Sequence, residues 1–383
     1  MVKTYAEINA KIAAGEAVIV TADEVVEIVN DIGLKKATEL VDVVTTATFG
    51  PMCSSGAFIN FGHSNPPIRM TKTFLNNVEG YSGIAAVDTY IGATQVSEIN
   101  NSYGGAHVIC DLIDGKEISL KASSPGTDCY PTKKIEASVK LSDLNEAYLF
   151  NPRNAYQNYN AAINTSNKPL YTYMGKLSAN MGNINYSTSG QLSPLLNDPY
   201  YHTIGVGTRI FLAGAEGYIA WCGTQFNSAA NRAENGVPTS PAGTLATIGN
   251  LNQMSTRYIR PAYFKNYGVS LFVGIGIPIP VLNEEIMGYL ALGDESIYTS
   301  IVDYSDHNHP IIKKVSYKEL KSGSVNIANR EVKTHCLTDL KKSKEIAELL
   351  KQQIINKDFF LQEPVKMFSQ GKQVKSMANY QIG

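Results

Sequence analysis

The run VDVVTTATF, residues 41–49, constrains this chain more than any other stretch. Its β-branched residues lose rotamer freedom in a helix and pack well on a pleated surface, so it reads as a buried strand. Gly50 and Pro51 close it at once. The polar, nearly uncharged stretch that follows, to Met70, carries one cysteine, Cys53, and one histidine, His63. Ahead of the run, Thr21-Ala-Asp-Glu24 is a capping-box pattern, and the valines and isoleucines behind it recur at helical spacing to about Asp31. Gly33 ends that helix, and LKKATELV forms a second short one. In α/β folds the loops after strand ends line the ligand crevice, which makes residues 48–70 the first place to look for chemistry.

Further strands are expected in residues 83–92, 106–113, 116–122, 203–214, 217–223 and 269–280, alternating with weaker helices. The class is mixed α/β, with α+β as the neighbouring possibility. Thr338-Asp-Leu-Lys caps a charged amphipathic helix over residues 341–358. Residues 1–360 are expected to form one catalytic domain and residues 361–383 a tail. Residues 151–198, rich in Tyr and Asn but poor in aliphatic side chains, read as an ordered insertion that serves as a lid or an oligomer contact, because disordered chains are poor in aromatics.

Net charge is −1, from 33 basic and 34 acidic residues without long runs of either sign, so nothing draws the chain to nucleic acid or a membrane surface. The N-terminus has no continuous apolar h-region, and no segment reaches about 18 uninterrupted apolar residues. A cytoplasmic protein with small-molecule substrates is expected. Charged residues are only 17% and tyrosines number 22, a balance that suits a homo-oligomer with part of its neutral surface hidden. Five cysteines lie far apart with no CxxC, which argues against a disulfide framework and against a zinc knuckle. Cysteine chemistry should then involve individual thiols.

Cys53 is the first candidate, since a thiol is a nucleophile only as thiolate and backbone amides favour that form. The amides of Ser54, Ser55 and Gly56 would supply them if a helix or nest begins there. The plain alternative is a small buried cysteine in a Gly/Pro turn. Cys129, in SSPGTDCYP, should lie near the surface. Cys110 reads as core, Cys222 as ambiguous and Cys336 as structural. His63, ten residues after Cys53, is a possible base for it. His307 and His309 lack further local ligands, so no metal is expected. Neither G-x-G, at Gly205 or at Gly274, continues into a dinucleotide motif. Arg153, Lys176 and Arg209 stand in otherwise uncharged surroundings, where each could clamp a carboxylate or simply form a structural ion pair.

The strings VDVVTTATFGPMCSSGAFINFGHSNPPIRM, GTDCYP, NPRNAYQNYNAA, YTYMGKL, LSPLLNDPYYHTIGVGTRIFLAG and VGIGIPIPVLNEEI resemble the homocysteine biosynthesis family of anaerobic archaea and bacteria, the L-aspartate semialdehyde sulfurtransferases. The resemblance implies conversion of L-aspartate semialdehyde to L-homocysteine, a step toward methionine, with sulfide-derived sulfur carried as a cysteine persulfide. The family's two cysteine motifs fall on Cys53 and Cys129. With that chemistry, one thiol holds the sulfur and the other attacks it, leaving a disulfide for an external reductant. The Ser54, Ser55 or Gly56 amides would stabilise the oxyanion, His63 would move the proton, and Arg153 or Arg209 would hold the substrate carboxylate, with Lys176 as a further cation. No tightly bound cofactor is implied. Many members append regulatory modules or a ferredoxin-type iron–sulfur unit after the region equivalent to Leu350, and this sequence shows neither, so a separate ferredoxin-type protein or a thiol is the expected electron donor. Thr132 and Phe226 stand where the family pattern commonly has Arg and His. The rival from another class is a non-catalytic sulfur carrier or a metal or iron–sulfur scaffold.

Overall fold

Four residues, Met52 to Ser55, separate the strand Val43–Pro51 from the strand Gly56–Asn60. Those strands stand six places apart in one ten-stranded sheet, whose order runs Ile19–Thr21, Val43–Pro51, Gly268–Pro280, Arg209–Leu212, Ala215–Trp221, Leu245–Asn250, Glu146–Asn154, Gly56–Asn60, Asp88–Gly92, with Ile259–Phe264 paired off the path to Gly268–Pro280. A flat sheet would put them about 29 Å apart at ~4.8 Å per strand, whereas the connection reaches at most about 18 Å. The sheet therefore curls until its distant strands approach each other. The short connection that carries Cys53 crosses the gap.

This is a computed structural model, and it describes residues 2–375 and 377. The architecture is mixed α/β in one large domain, as the sequence suggests. Ile19–Thr21 runs parallel to Val43–Pro51, and the helices Ala22–Ile32 and Leu34–Leu40 make the crossover between them. The Thr21 capping box forms, and the Gly33 amide closes the first of these helices on the Val29 carbonyl. The strand Val43–Pro51 is buried along nearly its whole length because both its faces are covered. One cover is the helix Leu340–Ile355, whose Ile346, Leu350 and Ile354 pack with Phe49, Phe211 and Phe272. Burying each such side chain contributes about 1.5–3 kcal/mol. Asp339, one residue past the expected Thr338, is that helix's N-cap, while the Thr338 hydroxyl turns to the Ser187 carbonyl.

Residues 106–113, expected as a strand, belong instead to the helix Gly105–Ile113. Ala106, Val108, Ile109, Cys110 and Leu112 are all buried in the main core. An apolar run needed on nearly every side gives no period by which to tell strand from helix. The remaining expected strands appear at Asp88–Gly92, Ile118–Ser123, Gly205–Val206 with Arg209–Leu212, Ala215–Trp221 and Gly268–Pro280.

Two smaller sheets complete the core. One has the order Val78–Gly80, Lys72–Leu75, Ile118–Ser123, Lys134–Val139 and is antiparallel throughout. The other has six strands, and Ala161–Ile163 and Ile184–Tyr186 are its two middle members. Residues 151–198 thus supply strands to the body of the protein as well as loops at its surface. Within the segment expected as a tail, Lys366–Met367 pairs with Gly205–Val206, and Phe368 is buried against Tyr201 and Phe226. Phe226 is a core residue of this chain.

Candidate functional site

Cys53 is held from both sides. The last pair of the long antiparallel ladder sets Pro51 against Phe272, and the Met52 amide then donates to the Leu271 carbonyl at 2.7 Å. The turn closes with the Ser55 amide on the Met52 carbonyl at 3.0 Å, and Gly56 enters its strand between Gly92 and Phe150. No helix begins after Cys53, because the chain must continue as a strand. The half-buried Cys53 Sγ lies 3.2 Å from the Ser270 Oγ, and Tyr267 lines the same cavity. Burial pushes the thiol above its ordinary pKa, while Ser270, its own backbone amide, Tyr267 and the Arg153 charge pull the other way.

In front of the sulfur opens a cavity of about 330 Å³. Ser54 and Arg153 form one wall, with the Arg153 Nε donating to the Ser54 Oγ at 3.3 Å and the guanidinium lying 6.0 Å from the Tyr156 ring centre. Tyr156, Tyr159, Tyr173 and Tyr267 line much of the rest, together with Met52, Met174, Gln225 and Leu337. The Tyr173 hydroxyl is bonded to those of Tyr159, at 2.6 Å, and Tyr304, at 2.8 Å. Arg153 is the one charged side chain of the lining, and among the described residues no carboxylate lies within ion-pair distance of it. An unpaired guanidinium beside a half-buried thiol can bind an anion and hold it within reach of the sulfur.

The other residues singled out in the sequence lie elsewhere. Ser55 is buried, and its hydroxyl accepts from the Asn151 side chain at 2.7 Å, so both it and the strand residue Gly56 serve the backbone rather than the cavity. His63 is exposed beyond the far end of Gly56–Asn60, a strand about 13 Å long, and stacks on Tyr130 at 6.1 Å. Cys129 is exposed in the neighbouring turn, which docks through the Thr132 hydroxyl on the Pro66 carbonyl at 2.8 Å. The loops of Cys129 and His63 meet each other, and neither residue lines the Cys53 cavity. Lys176 is exposed on the hairpin strand Gly175–Leu177. Arg209 is bonded to Glu216 and lies over the Phe359 ring, so its charge is already met. Cys110 is buried in its helix, and burial pushes its thiol up to about 12. Cys336 is pushed by burial to about 11. Cys222 is half-buried, with the Lys372 ammonium 3.4 Å from its sulfur. Among the described residues no group of three His, Cys, Asp or Glu side chains is placed to hold a metal.

Sequence reasoning missed Ser270 and the tyrosines. Ser270 carried a readable signal, a lone hydroxyl in the apolar strand VSLFVGIGIPIP that must find a partner once buried. The tyrosine excess was visible, but not where those side chains converge, since Tyr156 and Tyr173 of the segment 151–198 meet Tyr267 and Tyr304 from far along the chain.

A thiol, a guanidinium and a neutral aromatic wall around a small cavity suit the class of transferases that work through cysteine on small anionic molecules. The family model described as "Homocysteine biosynthesis enzyme, sulfur-incorporation" matches residues 17–361, and the chain belongs to that family of enzymes. It is 50% identical over 382 residues to an L-aspartate semialdehyde sulfurtransferase of Methanosarcina acetivorans, covering 99% of this chain and 74% of that protein. A protein of the same name from Methanocaldococcus jannaschii is 49% identical over 383 residues, covering 95% and 73%. An uncharacterized protein of Methanothermobacter thermautotrophicus is 29% identical over 329 residues, covering 83% and 72%. No solved structure matches the chain. Among the described residues no helix is long and apolar enough to cross a membrane.

Proposed function

We propose that this chain is an L-aspartate semialdehyde sulfurtransferase that makes L-homocysteine at the cavity beside Cys53. The observation that carries the reading is the placing of Cys53 and the unpaired Arg153 in one lining, in a chain half identical to sulfurtransferases of that name. Arg153 takes the substrate carboxylate. No carboxylate in the lining awaits the α-ammonium group, which the tyrosine faces and the Gln225 side chain can receive instead.

The overall change is aldehyde plus hydrogen sulfide plus two electrons and two protons to thiol plus water. In the proposed route Cys53 carries the sulfur as a persulfide, and its terminal sulfur adds to the aldehyde carbon. A second thiolate, Cys129 or a small thiol, attacks the Cys53 sulfur; the substrate leaves with the terminal sulfur, and a disulfide forms between Cys53 and the attacking thiol. Hydrogen sulfide then cleaves that disulfide at Cys53, regenerating the persulfide and releasing the thiol. The departed hydroxythiolate loses water to a thioaldehyde, which takes two electrons and two protons from an external donor, a ferredoxin-type protein or a thiol. In this route Cys129 comes to Cys53 by movement of its turn or from a second copy of the chain. The ordered segment 151–198 lends Tyr156, Tyr159 and Tyr173 to this site, a role close to that of a lid.

Purified protein given sulfide, aspartate semialdehyde and reduced ferredoxin or dithiothreitol should release homocysteine, read by mass spectrometry. A preparation that loads sulfur on Cys53 yet never releases homocysteine would be a carrier only, and the reading would fall.

A further inference from the structure

Ser270 is completely buried in the strand Gly268–Pro280, between Val269 and Leu271, yet it keeps a hydroxyl. Among the described residues, the hydrogen bond found for that hydroxyl is to the Cys53 sulfur, at 3.2 Å. A thiol is a weak donor and a buried hydroxyl costs free energy unless bonded, so a position that needed only bulk would be better filled by alanine or valine. Tyr267 stands three residues earlier, at the tip of the same hairpin, where its amide closes the turn on the Phe264 carbonyl at 2.9 Å. Its ring meets Tyr173 edge-on at 6.4 Å, and Tyr173 is fixed in turn by Tyr159 and Tyr304. Tyr267 is thereby held in the lining of the cavity that Cys53 also lines.

We propose that Ser270, with Tyr267 of the same hairpin, is a positioning group whose hydroxyl hydrogen bonding favours the anionic form of the Cys53 sulfur and offsets part of the cost of its burial. The proposal rests on Cys53 being the reacting thiol. The groups around the sulfur are the Ser270 hydroxyl, the Arg153 guanidinium and, lining the cavity, the phenols of Tyr267, Tyr156 and Tyr173. Arg153 is the only cation of the set and already donates to Ser54. The Ser270 and Tyr267 hydroxyls thus supply what no helix N-terminus provides here. Burial favours the neutral thiol, and Tyr267 is itself pushed up to about 12, so it remains a donor across the working range.

The test is the pH profile of iodoacetamide alkylation, read on the Cys53 peptide of the full chain by mass spectrometry. Removing a donor from an anion should raise the midpoint by about one pH unit in Ser270→Ala and in Tyr267→Phe. Alkylation below the midpoint should slow about tenfold, while the Cys129 peptide of the same sample stays unchanged. Profiles of both variants that overlay the parent's would overturn the proposal. Tyr267 lies at a partly exposed hairpin tip and Tyr267→Phe keeps the ring, so that variant decides the matter if Ser270→Ala does not fold. Alkylation needs no aldehyde. A shifted profile in a protein that makes no homocysteine would therefore leave this inference standing and remove the assigned reaction.

Discussion

Two turns of this protein carry a cysteine among glycine, proline and serine, and the fold treats them differently. The turn of residues 52–55 is enclosed by other segments: Ser270 bonds its sulfur, and Arg153, Tyr267 and further tyrosines line the cavity in front of it. The turn of residues 124–131 is bonded largely to itself, through Thr127 and Tyr130 and through the Gly126 amide on the Ser124 hydroxyl, and leaves Cys129 in solvent. Residue type sets the shape of each turn. What surrounds the sulfur, and so what it can do, comes from segments far away in the chain.

The comparison breaks most sharply on the thiols themselves. Cys53→Ser should reduce homocysteine formation by a factor on the order of 10³ or more, and added small thiol should not restore it. Cys129→Ser should recover most activity with millimolar dithiothreitol, because an exposed turn can be replaced by a diffusing thiol. Equal rescue of the two variants would erase the distinction between them.

Arg153 sharpens the same contrast at the substrate. Arg153→Met should raise the KM for aspartate semialdehyde by about 10- to 100-fold, as loss of charge-assisted hydrogen bonds to a carboxylate does, with a smaller change in kcat. Arg209→Met should leave KM near the parent's, since Arg209 is already paired with Glu216.

The smallest effects are structural. At Gly56 an added Cβ would stand 2.2 Å from the Tyr90 ring and 2.7 Å from the Ile91 carbonyl, so Gly56→Ala should cost about 1–3 kcal/mol by denaturant unfolding. Gly126 has a φ of +81°, and an added Cβ there meets the movable Lys133 side chain at 3.0 Å and makes an ordinary contact with the Pro131 carbonyl at 3.5 Å. Gly126→Ala should cost about 1 kcal/mol for the left-handed backbone alone. A larger loss at Gly126 than at Gly56 would mean that the Cys129 turn is the more tightly built of the two.

Much of the local structure was legible from residue pattern. The Thr21 box, the Gly33 stop and the run of residues 41–49 each specify their element through neighbours a few positions away. The exposed position of Cys129 followed from its turn chemistry. The helix Gly105–Ile113 was misread because its burial on almost every side erased the period. The family resemblance, now shown by the match over residues 17–361, directed attention to Cys53 and Cys129, but it carried no distances.

By itself the sequence determined the class of fold, the elements with strong local signals, and the turn in which Cys53 sits, because capping, β-branching and Gly/Pro chemistry act within a few residues. Only the tertiary structure decided that Arg153 joins Cys53 while Arg209 does not, that Ser270 bonds the sulfur and that Tyr267 lines its cavity. The reason is geometric: a four-residue link joining strands six places apart forces the sheet to curl, and the curl, which no local pattern encodes, chooses the neighbours of the thiol.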